Sequence, residues 1–179
     1  MGLGVGEGRD SELGRRQAQG ISRSAEGPWE DCVRDGAGGP TLILYLDTSS
    51  LIKLYVEEEG STAVREQVAG AAVVVTSTLA YPEARSALAR LRRDGGLSDA
   101  EQARAKADFD RDWSGFLTLP VEKVWRQAGD LAERHGLRGA DSIHLASFLA
   151  LIGMAQSPVR FSSSDSRLNL AAQREAGES

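Results

Sequence analysis

Thr41-Leu-Ile-Leu-Tyr-Leu46, followed by Asp47-Thr-Ser-Ser50, is the stretch that decides the fold. Its first six residues carry no charge and lie between Gly38-Gly-Pro40 and a Thr/Ser cluster. This pattern is typical of a strand buried on both faces in a parallel sheet. Asp47 stands where the strand ends and a helix begins. Ligands of open α/β sheets bind beyond the carboxyl ends of the strands, so Asp47 is a site candidate, with a helix N-cap as the alternative interpretation.

Alternating strands and helices are predicted along the rest of the chain. Further β-branched or apolar runs at residues 73–76, 116–119 and 158–161 predict three more strands, separated by stretches with helical spacing of their apolar residues. Strands joined by helices form a parallel sheet. The prediction is therefore an α/β fold with three layers, α/β/α, around a mainly parallel sheet of four or five strands.

One domain, at residues 41–177, accounts for the chain. Half of the 20 glycines fall in residues 1–40, a segment with few large apolar residues and no sustained period, so we interpret it as a disordered leader outside the domain. No apolar run approaches the length of a membrane span, and no secretory signal is present at the N-terminus. No membrane association is expected, and the cytoplasm is the expected compartment.

The composition restricts the kind of metal site that the chain could form. A single cysteine, Cys32, excludes an internal disulfide and a thiolate zinc cluster, and only two histidines are present. Any metal must therefore be held by oxygen. The net charge of −5 argues against a protein that coats nucleic acid by bulk electrostatics, but it allows a local basic rim around an acidic pocket.

Four acids occupy equivalent positions, each in or just before the first turn of a predicted helix: Asp47, Glu83, Asp141 and Asp165. Three of these helices follow a strand directly, and the ends of parallel strands meet at one edge of the sheet. Asp141 begins an almost wholly apolar helix that can close the group. Carboxylates this close repel one another unless a cation intervenes, and their oxygens select Mg²⁺ or Mn²⁺. Such a cluster supports phosphodiester hydrolysis.

The segments around these acids resemble a known family. Leu46-Asp-Thr-Ser-Ser-Leu-Ile-Lys-Leu-Tyr55, Pro82-Glu-Ala-Arg-Ser-Ala-Leu88, Gly139-Ala-Asp-Ser-Ile-His-Leu-Ala146 and Phe161-Ser-Ser-Ser-Asp-Ser-Arg-Leu168 are similar to the four signature segments of PIN domains, above all the VapC-type toxins of toxin–antitoxin pairs. The resemblance implies a metal-dependent endoribonuclease with the four acids as its catalytic and metal-binding residues. It also implies a supporting hydroxyl at Ser163, a homodimer, and a VapB-like antitoxin partner.

Other residues near the acids have weaker claims. Arg85, Arg138 and Arg167 could contact RNA phosphate, with ion-pair or surface roles as the alternative. We interpret His144 as a hydrogen-bonded core histidine. The aromatic residues Trp113, Phe116 and Trp125 are interpreted as core.

Three functions are alternatives to a metal-dependent nuclease. An aspartyl phosphatase needs a second acid two positions after the first, where Ser49 stands. A receiver domain needs adjacent acids early in the chain, which this sequence lacks. A degenerate domain of the same fold that only binds RNA or a partner is the remaining alternative, and the presence of all four acids favours an active enzyme.

Overall fold

A computed structural model of the protein describes residues 42–177. The leader predicted at residues 1–40 lies outside the described residues.

The described chain alternates strands and helices as follows. The first half contains β1 (Ile43–Leu46), α1 (Thr48–Leu51), a 3₁₀ turn (Ile52–Leu54), α2 (Ser61–Gly70), β2 (Val73–Ser77), α3 (Ala80–Arg93) and α4 (Asp99–Asp112). The second half contains a 3₁₀ turn (Trp113–Gly115), β3 (Leu117–Leu119), a 3₁₀ turn (Val121–Lys123), α5 (Trp125–His135), α6 (Gly139–Met154), β4 (Val159–Ser162) and α7 (Ser166–Ala176).

The four strands form one parallel sheet in the order β3-β2-β1-β4. The predicted three-layer α/β/α fold with a parallel sheet is therefore confirmed, and it has four strands within residues 42–177. The chain adds β2 and β3 on one side of β1 and β4 on the other. Such a reversal of strand order opens a crevice at the carboxyl ends of the strands, here between β1 and β4. Asp47 and Asp165 follow these two strands.

The two faces of β1 contact two separate cores, because successive side chains of a strand point to opposite faces. Leu44 and Leu46 pack into the core beneath α1 to α4, which also contains Leu88 and Phe109. Ile43 and Tyr45 pack into the core beneath α5, α6 and α7. All four strand residues are at most 3% exposed, which explains why the sequence of this strand carries no charge. No helix within residues 42–177 is both long and apolar enough to cross a membrane.

Candidate active site

Asp47 is buried at the end of β1 and caps α1. Its side chain is 4% exposed, and Oδ1 accepts a hydrogen bond from the backbone N–H of Ser50 at 2.9 Å. The Ser49 hydroxyl lies 2.8 and 2.9 Å from the two carboxylate oxygens, and Ser163 Oγ donates to Oδ2 at 2.8 Å. Burial raises the pKa of Asp47, while the nearby imidazole of His144 and these hydrogen bonds oppose the rise. The residue is thus both an N-cap and a member of the acidic site, so the two interpretations of the sequence are compatible.

Ser163 connects two of the acids. Its hydroxyl donates to Asp47 and accepts a hydrogen bond from the backbone N–H of Asp165 at 3.0 Å. Asp165 is the exposed N-cap of α7, where Oδ1 accepts from the backbone N–H groups of Arg167 and Leu168 at 2.8 and 3.1 Å. The turn after β4 therefore holds Asp165 next to Asp47 across the crevice.

Glu83 is held by a chain of hydrogen bonds that begins in the core. The Thr48 hydroxyl donates to Glu83 Oε2 at 2.6 Å, and His144 Nε2 lies 2.9 Å from the same oxygen. His144 Nδ1 lies 3.0 Å from the buried hydroxyl of Tyr45. Burial raises the pKa of Glu83, but the bonds from His144 and Thr48 outweigh it, so the pKa lies below its ordinary value and the carboxylate stays ionised.

The direction of each hydrogen bond between Tyr45, His144 and Glu83 follows from which groups can donate and which can only accept. Burial raises the pKa of Tyr45, so its hydroxyl keeps its proton and can donate to Nδ1 of His144. An ionised carboxylate only accepts, so Nε2 must carry the proton that is shared with Glu83. With Nε2 as the donor to Glu83 and Nδ1 as the acceptor from Tyr45, the imidazole ring satisfies both bonds. His144 is therefore the hydrogen-bonded core histidine that the sequence predicted, and it also positions Glu83.

Asp141 lies in the first turn of α6 and experiences the charges of the other three acids. Burial raises its pKa, the nearby charge of Asp165 adds to the rise, and the smaller effects of Asp47 and Glu83 act in the same direction. Arg138 opposes them. The structure thus places the four predicted acids at one edge of the sheet, close enough for their charges to interact.

The arrangement fits a hard divalent cation. Every candidate ligand is a carboxylate oxygen, and the mutual repulsion that raises the pKa of Asp141 is what a bound cation would remove. Within residues 42–177 no three His, Cys, Asp or Glu side chains already stand together as a closed metal-binding group. Mg²⁺ usually keeps several water ligands and takes only one or two carboxylates, so it does not need a closed set of protein ligands.

The three arginines have different surroundings. Arg85 pairs with Asp110 of α4 at 3.0 Å and donates to the hydroxyl of Tyr81, so its guanidinium is engaged away from the acids. Arg138 is exposed and acts electrostatically on Asp141. Arg167 donates to the backbone carbonyl of Gly136 at 2.8 Å, beside the last turn of α5. RNA contact by Arg138 and Arg167 stays a prediction.

The prediction that Trp125 belongs to the core was wrong. Trp125 is 54% exposed, with the guanidinium of Arg126 4.8 Å from its ring centroid. The buried face of this helical segment contains Val124, Ala128 and Leu131. Trp125 follows Val124 directly and does not lie on that face. The hydrogen bond that Thr48 donates to Glu83 was not predicted from the sequence. The position of Thr48 directly after Asp47, in the first turn of α1, was the available signal.

Comparison with known proteins identifies the family of the chain. A family model described as PIN domain matches residues 44–152, a range that contains Asp47, Glu83 and Asp141. Ribonuclease VapC45 of Mycobacterium tuberculosis (strain CDC 1551 / Oshkosh) is 43% identical over 114 residues, which cover 61% of this chain and 76% of the relative. Ribonuclease VapC49 of Mycobacterium tuberculosis (strain ATCC 25618 / H37Rv) gives the same identity and coverage. The chain belongs to the PIN domain family.

Proposed function

We propose that this protein is a metal-dependent endoribonuclease and the toxin of a VapBC-like toxin–antitoxin pair. The observation that carries the proposal is the convergence of four acids at one sheet edge, with their charges coupled at Asp141. Membership of the PIN domain family and 43% identity to two proteins named ribonuclease support the same activity.

The four acids would hold Mg²⁺, or Mn²⁺ in its place, and the ion when bound would neutralise charge on the scissile phosphate and favour ionisation of water. The residues of the chain prepare the site for this. The hydroxyl groups of Ser49 and Ser163 orient the carboxylate of Asp47, and His144 and Thr48 orient that of Glu83.

A VapB-like antitoxin and a second copy of the chain are the proposed protein partners. Support comes from the resemblance to VapC-type toxins and the names of the two relatives. Co-expression with the product of a neighbouring small gene should relieve growth arrest, and light scattering of the purified toxin should give the mass of a dimer. Failure of every candidate antitoxin to relieve arrest would remove the toxin–antitoxin part of the proposal and leave the nuclease.

The nuclease is tested by mapping RNA ends. Brief induction followed by sequencing of 5′ ends should reveal discrete new cuts, and the purified protein should reproduce them in Mg²⁺. Asp141→Asn is the matched inactive variant, since it changes the charge at nearly constant shape. A protein that binds RNA but produces no new ends, with Asp141→Asn behaving as wild type, would indicate a non-catalytic PIN domain instead.

A further inference from the structure

A pocket of about 230 Å³ lies between the last turn of α5 and α7. Its lining consists of Arg134, His135, Arg167, Leu170, Ala171 and Arg174. Three of these six side chains are guanidinium groups and none is an acid. In a chain of net charge −5, this is a local concentration of positive charge of the kind that attracts an anion.

Within residues 42–177, two of the three arginines of this pocket have no acidic partner. Arg134 is paired with Glu175 at 2.9 Å, and the same carboxylate lies 2.7 Å from His135 Nε2. Arg167 uses Nη2 to bind the Gly136 carbonyl, and a guanidinium has five N–H donors in total. The side chain of Arg174 is exposed and makes no hydrogen bond or ion pair with any residue in the range 42–177.

The pocket is joined to the acidic site through one residue. The backbone N–H of Arg167 donates to Asp165 Oδ1 at 2.8 Å, while its side chain lines the pocket. A strand of RNA whose scissile phosphate lies at the acids would therefore pass its neighbouring phosphates along α7 from Arg167 toward Arg174. Leu170, which is 46% exposed, offers an apolar surface beside the charged groups, as a ribose or base requires.

We propose that this pocket binds a backbone phosphate of the RNA, next to the one that is cleaved. The inference rests on the proposed nuclease function and extends it to a second contact site. Arginine suits this task because its planar fork binds phosphate oxygens with two parallel hydrogen bonds. Such a contact fixes the position of the RNA and carries no information about its sequence. The pocket contributes affinity and register, and the acids perform the chemistry.

The test measures binding of a labelled single-stranded RNA by full-length Asp141→Asn protein in Mg²⁺ at several salt concentrations. Adding Arg174→Ala should reduce the slope of log K against log salt by about 0.7, the loss of one contact to a single strand, which at 0.1 M salt is about a fivefold weaker affinity. Arg104→Ala is the matched control, because Arg104 is an exposed arginine of α4 in the opposite layer and the change in net charge is identical. It should leave the slope unchanged.

Glu175→Gln provides a change of the opposite sign. Removing this carboxylate releases Arg134 and His135 toward the pocket, so the RNA should bind more tightly. Asp99→Asn removes one negative charge from the opposite layer, so only a larger gain in Glu175→Gln reports the pocket. Melting curves of each variant test whether it is folded.

Three outcomes separate the two proposals. If wild type cleaves RNA but Arg174→Ala and Arg104→Ala have the same slope and affinity, the pocket proposal is overturned and the nuclease stands. If wild type cleaves nothing, while Arg174→Ala and Glu175→Gln shift binding in opposite directions, the phosphate site stands and the nuclease fails. If Arg174→Ala abolishes binding of an acidic antitoxin segment and leaves RNA binding intact, the pocket takes protein and the RNA proposal is overturned.

Discussion

Replacing Asp47 by Asn and by Ala separates the charge of this buried carboxylate from its hydrogen bonds. Both changes remove the charge. Asn keeps an oxygen for the Ser50 N–H, whereas Ala loses that cap and the bonds to Ser49 and Ser163. A lost cap costs about 1 kcal/mol and each lost hydroxyl bond about 1 kcal/mol, so Ala should be about 2–3 kcal/mol less stable than Asn.

The comparison of Asn with wild type reports the sign of the charge effect. Burial raises the pKa of Asp47, so the folded state binds its proton more tightly than the unfolded state. The free energy of unfolding of the metal-free wild type should therefore decrease as the pH rises from about 4, the unfolded value, through the raised folded value. Asp47→Asn should lack this contribution and be the more stable protein at pH 7 in EDTA.

Two other acids also make the free energy of unfolding depend on pH, and they do so in opposite directions. The pKa of Asp141 is also raised, and its contribution likewise decreases with rising pH. The pKa of Glu83 is lowered, so its contribution is present above the unfolded value and is lost as the pH falls through the folded value. Subtracting the Asp47→Asn curve from that of wild type isolates the Asp47 contribution.

Thermal melts of wild type and the two variants, in EDTA and in Mg²⁺ from pH 4 to 7.5, measure these differences. One kcal/mol corresponds to a shift of about 3–5 °C in Tm for a domain of this size. Mg²⁺ at a hundredfold excess over its Kd should stabilise wild type by about 2.7 kcal/mol, and Asp47→Asn by less. Asp99→Asn is the control, because this side chain is 85% exposed in the first turn of α4 and should change stability by less than about 0.5 kcal/mol.

If Asp47→Asn melts below wild type in EDTA, the buried charge does not destabilise the metal-free fold. If Asp47→Asn and Asp47→Ala melt together, the hydrogen bonds to Asp47 contribute nothing to stability. Either result would contradict the expected effect of Asp47.

Three further results are expected. Tyr45→Phe should lower the free energy of unfolding in urea by about 1–3 kcal/mol and lower kcat with little change in KM, because Nδ1 of the imidazole that positions Glu83 loses its partner. A loss of stability no larger than that of Tyr81→Phe, whose hydroxyl bonds an exposed carboxylate, would contradict this. RNA cleavage should stop in EDTA and return with Mg²⁺ or Mn²⁺, and full activity in excess chelator would exclude the metal mechanism. A chain that starts at Thr41 should keep the wild-type Tm and activity, since the sequence before it has few large apolar residues; a clear drop in either would place residues 1–40 within the domain.

The sequence by itself determined the elements and the positions of the acids. The uncharged strand before Asp47 could only be buried on both faces, and alternation of strands with helices required parallel pairing. Ser98 and Glu101 have the spacing of a capping box, and both reciprocal bonds are present. These are local features, set by the chemistry of residues close together in the chain.

The tertiary structure alone decided which partners the side chains find. His144 and Glu83 are 61 residues apart, and no periodicity reveals that they share a hydrogen bond. Arg85 is two residues from Glu83 yet pairs with Asp110, because α3 packs against α4 on that side. Arg174 and Arg167 form a pocket with the end of α5 only after α7 has packed beside it. Spacing along one helix predicts which face a residue lies on, but its contacts depend on how separate helices pack, and that is a property of the assembled core.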